Sequence, residues 1–283
     1  MELLRQLDLT DLVRRALAED VGQGDITTAA TVPAGRHGRA RITVKEPDGI
    51  IFCGGLMIEQ VFAQAGARPV INSLVAEGRR LHQGVVAADI AGDLAGLLGG
   101  ERVALNFAQL MSGIATITHR YVEAVTGTHA KIIDTRKTHP GLRAIEKYAV
   151  RCGGGMNHRF GLDSGVLIKD NHIAAAGGVR AALEGAQRIA PHTFRIQIEC
   201  ETLAQVEEAV KCGAGAVLLD NMPLDDLRRA REITGSAVLL EASGGVTLET
   251  VRAIAETGVD LISVGALTHS ARAVDLSMRI QTN

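Results

Sequence analysis

A chain of 283 residues, 46% of them hydrophobic and 22% charged, is long enough for one large α/β domain or a barrel with a smaller companion, and is neither disordered nor fibrous. A formal net charge of −2 and a pI near 6.5 exclude the broad basic surface of a protein whose main partner is nucleic acid, so its cations must act locally. No apolar run reaches the roughly 18 residues of a membrane span, and with no Trp, two Tyr and five Phe a flat ligand has to be gripped by charge more than by stacking.

The N-terminal stretch alternates charge with apolar residues and predicts an amphipathic helix from Glu2 to about Glu19, with Leu4, Leu7, Val13 and Leu17 at helical spacing, broken by Gly22-Gln23-Gly24-Asp25. Strand patterns follow at Arg39 to Lys45, Ile50 to Cys53 and Val85 to Ala91, with a helix at Leu56 to Gln64. This section reads as an α+β domain. A long helical run from Glu101 to Val125, with a broad apolar face, reads as a connector, and Gly99-Gly100 marks the boundary before it. Four cysteines, Cys53, Cys152, Cys200 and Cys212, are scattered without a CxxC pair, which fits reduced, buried, inert thiols in a cytoplasmic protein.

Beyond Lys131 the pattern becomes strand, polar loop, helix, strand. Strands are expected at Lys131 to Ile133, Val166 to Ile168, Arg195 to Glu199, Ala216 to Leu219, Ala237 to Leu240 and Leu261 to Val264, and helices at Leu203 to Lys211, Leu224 to Glu232 and Leu248 to Glu256. Such alternation implies parallel βαβ units. The strand ends carry Asp134, Lys169, Glu199, Asp220, Glu241 and Ser263. Functional residues after nearly every strand favour a β/α barrel over an open doubly wound sheet, although only six strands are evident. The closing apolar segment, Ala273 to Ile280, is expected to pack back onto the first domain.

Within this frame Asp134 to His172 is the densest concentration of charge, with Arg136, Lys137, His158, Arg159 and Lys169. Several such groups converging on one mouth imply a polyanionic ligand. Arg143, Lys147 and Arg151, spaced four apart, read instead as a solvated face or a subunit contact, and His139 and His172 as loop-shaping residues. Glu199 and Asp220, after middle strands, can hold Mg²⁺ directly or through water, or can pair with the cations as structural salt bridges. Two glycine turns, Ser243-Gly244-Gly245 before a helix expected near Thr247 and Val264-Gly265-Ala266 after the last strand, suit phosphate in a barrel. The nine histidines show no HExxH or HxH spacing, so no zinc site is expected.

The chain resembles the quinolinate phosphoribosyltransferase family. The matching residues are Glu19-Asp20-Val21-Gly22, Gly24-Asp25-Ile26-Thr27-Thr28, Asp134-Thr135-Arg136-Lys137-Thr138, Pro140-Gly141-Leu142-Arg143, Gly153-Gly154-Gly155, Asn157-His158-Arg159, Leu167 to His172, Leu219-Asp220-Asn221-Met222 and Glu241-Ala242-Ser243-Gly244. The resemblance implies an α/β fold: an N-terminal α/β sandwich over 1–100, with 271–283 packing back on it, and an open, incomplete TIM-type β/α barrel over 101–270. It further implies a homodimer with sites shared between subunits, or dimers assembled into a hexamer. The implied reaction converts quinolinate and phosphoribosyl pyrophosphate to nicotinate mononucleotide, pyrophosphate and CO₂ with Mg²⁺, on the way to NAD.

Carried over by that resemblance, Arg136, Arg159 and a partner subunit's Arg102 would hold the two carboxylates, in a loop that includes Thr135. Lys137 and Lys169 would serve the sugar phosphates and pyrophosphate beside His158, and Glu199 and Asp220 the ribose and the metal. Ser243, Gly244, Gly245, Val264, Gly265, Ala266 and His269 would cradle the 5′-phosphate. His139 and Asp163-Ser164 depart from the family pattern and put the local loop geometry in question. They also leave room for a paralogous phosphoribosyltransferase-like protein, such as the one found with molybdenum transport. A nicotinate-specific enzyme of the same fold and a noncatalytic phospho-sugar binder are the remaining alternatives.

Overall fold

The computed structural model describes residues 9–281, which form two compact units. One comprises the chain up to His119, His139–Gly154 and everything from Leu267; the other comprises Arg120–Thr138 and Gly155–Ala266. A 31-residue helix, α4 (Leu94–Ala124), supplies residues to both. Among the described residues no helix is long and apolar enough to cross a membrane.

In the first unit, α1 (Thr10–Val21) stops at Gly22, whose φ of 55° only glycine adopts cheaply. Of the helix predicted from Glu2 to about Glu19, the described part runs from Thr10, and the stretch with Leu4 and Leu7 lies outside the described residues. Asp25 then caps α2 (Ile26–Thr31) by accepting the Thr28 N–H at 3.0 Å. An antiparallel sheet follows in the order β12-β1-β5-β3, from β12 (Leu276–Gln281), β1 (His37–Val44), β5 (Val86–Asp93) and β3 (Val70–Leu74).

Alternation along β1 buries Ala40, Ile42 and Val44 completely and turns Arg39 and Arg41 to the other face, where both bond Asp89 of β5. A short pair, β2 (Ile50–Ile51) with β4 (Arg80–Leu81), leads into α3 (Gly55–Gln64), whose Leu56, Met57, Ile58, Val61 and Phe62 are all buried. The apolar segment at the C-terminal end of the chain is therefore a strand, held to β1 from Arg39↔Gln281 to Val44↔Leu276.

The long helix expected from Glu101 starts earlier: α4 begins at Leu94 and runs straight through Gly99 and Gly100. The reason is packing. A Cβ on Gly100 would come within 3.0 Å of the Phe62 ring, and one on Gly96 would collide with the Ala67 backbone. These glycines let α3 and the chain after it press against the helix.

The second unit contains all six strands read from the sequence: β6 (Lys131–Ile133), β7 (Val166–Ile168), β8 (Ile196–Cys200), β9 (Ala216–Asp220), β10 (Leu239–Ser243) and β11 (Leu261–Ser263). Their order is β6-β11-β10-β9-β8-β7, parallel throughout. The first strand therefore pairs with the last and every other strand with its chain neighbour, which is barrel connectivity opened at one step, between β6 and β7. At that opening Met156 makes a single bridge to Ile133. The barrel is open because those two strands are joined by a long excursion rather than by a tight crossover.

Candidate active site

Parallel strands deliver their C-terminal ends to one edge, and there the second unit gathers most of the predicted residues. Asp134 follows β6, is fully buried, and accepts the Asn157 side-chain N–H at 2.6 Å and the His158 backbone N–H at 2.8 Å. The Met156 bridge sets this up, since Met156 donates to Ile132 and its carbonyl accepts from Asp134. The Thr135 hydroxyl accepts the Lys137 N–H at 3.0 Å, which turns the loop so that Arg136 is half-buried and Lys137 exposed.

His158 is oriented from both ring nitrogens. Its Nδ1 accepts the Arg159 N–H at 2.7 Å, so Nε2 carries the proton and faces Glu241 Oε2 at 3.4 Å. Glu241 is 1% exposed, also accepts from the Gln197 side chain at 2.7 Å, and leaves Oε1 buried without a hydrogen-bond partner. These groups line a cavity of about 250 Å³ with Asn157 and Arg159. Arg159 donates to the Gly165 carbonyl at 2.9 Å, and its guanidinium is less basic than usual, first through burial and then through the neighbouring charge of Arg136. An anion at this place would relieve that repulsion.

Lys169 stands one residue beyond β7, and its Nζ lies 2.7 Å from Glu199 Oε2 on the adjacent β8. Register explains the contact, because Ile168 is paired with Ile198 and one step further along each chain come Lys169 and Glu199. The His172 ring fixes the lysine backbone by accepting its N–H at 3.0 Å, at the start of α6 (Asp170–Ala176). Glu199 is nearly buried, whereas Lys169 keeps 47% of its side chain exposed. Asp220 ends β9, half-buried, and accepts from Asn221 at 2.9 Å. Glu199 and Glu241 both sit level with Leu218, with Asp220 and Ser243 paired further along. Glu241 is thus inside its strand and not at its end, because β10 continues to Ser243.

The two glycine turns are present, but the helices after them are short. The one expected near Thr247 begins only at Val251, as α10 (Val251–Ala255), and α11 (Ala266–His269) has four residues. Little helix dipole is available, so an anion here would rely on loop N–H groups. Gly244 and Gly245 are both left-handed, at φ 95° and 59°. Val264 donates to Ile133 at 3.0 Å and leads into Gly265 and Ala266.

Arg102, exposed on α4, and His269, exposed with Nδ1 2.6 Å from the Ser270 hydroxyl, belong to the first unit. So does α5 (Arg143–Cys152), where Lys147 is 3% exposed. This corrects the solvated-face reading for Lys147, whereas Arg143 is half-buried and Arg151 exposed: spacing of four sets rough alignment along the helix and not exposure. His139 meets the buried Glu146 through Nδ1 at 2.5 Å, the structural role expected of it. A larger cavity of about 820 Å³ near Leu17, Asp25, Thr28 and Gln64 is lined mainly by small apolar residues, and its two carboxylates, Asp25 and Asp93, accept backbone N–H groups at the starts of α2 and α4.

Three residues with a part in this geometry were given no role from sequence: Asn157, Gln197 and Asn221. Asn157 and Asn221 lie inside matched motifs. Gln197, a polar residue in the middle of a buried strand, was the available signal for the third.

Two family models cover the chain: the N-terminal domain of quinolinate phosphoribosyl transferase over residues 25–112 and its C-terminal domain over 114–279. A probable carboxylating nicotinate-nucleotide pyrophosphorylase of Bacillus subtilis is 42% identical over 279 residues, covering 98% of this chain and 95% of that protein. The carboxylating nicotinate-nucleotide pyrophosphorylase of Mycobacterium leprae is 45% identical over 95% of each. The solved nicotinate-nucleotide pyrophosphorylase of Francisella tularensis matches with a TM-score of 0.91 and 38% identity over 96% of each chain.

Proposed function

The chain belongs to the quinolinate phosphoribosyltransferase family, and from that premise we propose that it transfers the phosphoribosyl group of phosphoribosyl pyrophosphate to quinolinate with loss of CO₂. The products are nicotinate mononucleotide and pyrophosphate, in cytoplasmic NAD biosynthesis. What supports the substrate choice is the proximity of Arg136 and Arg159, close enough for one charge to lower the basicity of the other, on the barrel edge that carries the Lys169–Glu199 pair. Two guanidiniums suit two carboxylates. An enzyme acting on nicotinate would have one carboxylate to hold.

In this reading Arg136, Arg159 and Arg102 of the partner subunit in a homodimer hold the quinolinate carboxylates. Lys137 and Lys169, beside His158, stabilise the negative charge of the departing pyrophosphate. The loops Ser243 to Gly245 and Val264 to Ala266, with His269, take the 5′-phosphate through backbone N–H groups. The ring nitrogen forms its bond to the ribose carbon as the bond from that carbon to pyrophosphate breaks. Glu199 and Asp220 face the ribose, where carboxylates tolerate the positive charge that develops.

Glu199 and Asp220 also fit Mg²⁺, since both are hard oxygen donors on adjacent strands and the ion commonly takes one or two carboxylates and fills its shell with water and substrate phosphate. When bound it supplies charge neutralisation to the pyrophosphate. Once the ring nitrogen is quaternary, the ring itself accepts the electron pair released as CO₂ leaves, and a proton replaces the lost carboxylate. The protein's part in that second half is orientation and exclusion of water, and no covalent nucleophile is needed.

The test is CO₂ release from carboxyl-labelled quinolinate by the purified protein with Mg²⁺. Release that depends on phosphoribosyl pyrophosphate is expected; no release with both substrates present would overturn the assignment.

A further inference from the structure

Sequence spacing gave no zinc motif, yet the first unit brings together three residues that no local pattern connects. Cys53, Glu77 and Cys152 place two thiol sulfurs and a carboxylate oxygen within 4.8 Å of one another, the sole such trio of potential ligands among the described residues. A tetrahedral site with Zn–S bonds of about 2.3 Å has edges of about 3.8 Å, so closing the trio onto an ion needs at most about 1 Å of movement.

The three ligands are held by separate means. Cys53 sits just before α3, with its N–H donating to the Ser112 hydroxyl and its carbonyl accepting from it, both at 2.9 Å. Glu77 is fixed by backbone N–H groups at the same helix start, Gly54 at 2.9 Å on Oε2 and Gly55 at 2.7 Å on Oε1. Phe52 exchanges backbone bonds with Gly78 and Arg79 and so keeps the two strands of chain in register. Cys152 ends α5, followed by Gly153, where any Cβ would collide with the Ala115 carbonyl and the Thr118 side chain. The absence of that Cβ lets the end of α5 approach α4 and carries Cys152 to the other two ligands. Its sulfur lies 3.9 Å from Glu77 Oε2.

We propose that Cys53, Glu77 and Cys152 bind one zinc ion per chain through two thiolates and a carboxylate, with water in the fourth position. Two thiols and a carboxylate select a borderline-soft divalent ion over the hard Mg²⁺. Binding displaces both thiol protons, and the +2 ion offsets two of the three negative ligand charges in a partly buried place. The surroundings already supply what ligands of a metal require: the Glu77 carboxylate is oriented by two N–H groups, and the Tyr148 phenol bonds the Cys152 sulfur. The ion would tie the start of α3 to the end of α5. It is independent of the phosphoribosyl reaction.

The experiment titrates Co²⁺ into the reduced, chelator-treated full-length protein and then displaces it with Zn²⁺ in the presence of a chromophoric chelator. One equivalent per chain with a sulfur-to-cobalt charge-transfer band is expected. Cys152→Ser, a substitution close in size at a partly buried position, should abolish the band and weaken zinc at least about 100-fold with unchanged circular dichroism, and Tyr148→Phe should weaken it about 10-fold. Glu199→Gln with Asp220→Asn should leave the band unchanged. The proposal is overturned if stoichiometric Co²⁺ gives no charge-transfer band in the wild-type protein, if Cys152→Ser binds zinc as tightly, or if the double carboxamide change removes the binding.

Discussion

Replacing Gly244 by alanine tests how the loop after β10 is built. The backbone there is at φ 95°, and an alanine Cβ would stand 2.9 Å from Asn221 Nδ2, 2.5 Å from its Cγ and closer still to Oδ1. Asn221 cannot simply step aside. It is itself left-handed at φ 53°, its N–H donates to the Ser243 carbonyl at 2.9 Å, and its side chain is bonded to Asp220 at 2.9 Å. A Cβ in the left-handed region costs roughly 1–2 kcal/mol, and losing the Asn221–Asp220 bond about 0.5–1.5 kcal/mol. The sum, about 1.5–3.5 kcal/mol, corresponds to a fall in Tm of roughly 4–10 °C. If all of it falls on the phosphate loop, kcat/KM for phosphoribosyl pyrophosphate drops about 10–400-fold.

Gly245 is the control. It is also left-handed, at φ 59°, but a Cβ there meets open space, so Gly245→Ala should cost only the backbone part, about 1–2 kcal/mol. Thermal unfolding and steady-state kinetics measure both. A cycle with Asn221→Ala isolates the collision: the double variant should be more stable than the sum of single losses by about 0.5–1.5 kcal/mol. Strict additivity, or a Gly244→Ala protein with wild-type Tm and kinetics, would refute the reasoning.

Other expectations follow from the same geometry. Lys169→Met should lower kcat/KM for phosphoribosyl pyrophosphate about 10–150-fold through loss of one charge-assisted bond, while stability changes by less than about 1 kcal/mol because the lysine is half exposed. If sites are shared between subunits, mixing Arg102→Ala with Lys137→Ala chains should restore up to about a quarter of wild-type activity; full subunit exchange without recovery would refute the sharing. Burial acts to raise the Asp89 carboxyl, but bonds from Arg39, Arg41 and Asn72 outweigh it and hold it at about 2. Its stabilising effect is therefore complete above the ordinary value near 3.8 and fades as pH falls towards 2. After discounting for the exposed arginines, Asp89→Asn should cost about 1 kcal/mol at pH 6 and almost nothing near pH 2 in denaturant titrations. Burial pushes the Cys200 thiol up to about 12, so iodoacetamide should modify Cys152 well before Cys200 in chelator-treated protein, as peptide mass mapping can show.

The barrel strands were legible because each is a short, largely apolar run with a charged or small polar residue at or near its end, the usual look of a buried parallel strand. β3 (Val70–Leu74) was not, since it is a bulged edge strand with half its residues in water. Helix starts were misplaced where glycine has a packing role, as at Gly96 and Gly100, or where a turn precedes the helix, as between Thr247 and Val251. In the site, charge marked Arg136, Arg159 and Lys169, and strand register then brought Lys169 to Glu199. The His158–Glu241–Gln197 chain was hidden because it joins β10, β8 and the loop before β7, segments far apart in sequence that only the fold brings together. The Cys53–Glu77–Cys152 trio was hidden for a similar reason, its cysteines being brought together only by the close approach at Gly153.

The pairing of β12 with β1 also bears on the order in which the protein can be made. On the ribosome, β1 finds β5 soon after it emerges, but its other edge stays without a partner until Leu276–Gln281 has been synthesised. Through nearly the whole of translation the nascent chain therefore carries an open strand edge, bounded by the apolar Ala40, Ile42 and Val44, that another chain can occupy. Deleting the last eight residues would make that interval permanent, and the expected product is an aggregate even though the barrel strands lie wholly upstream.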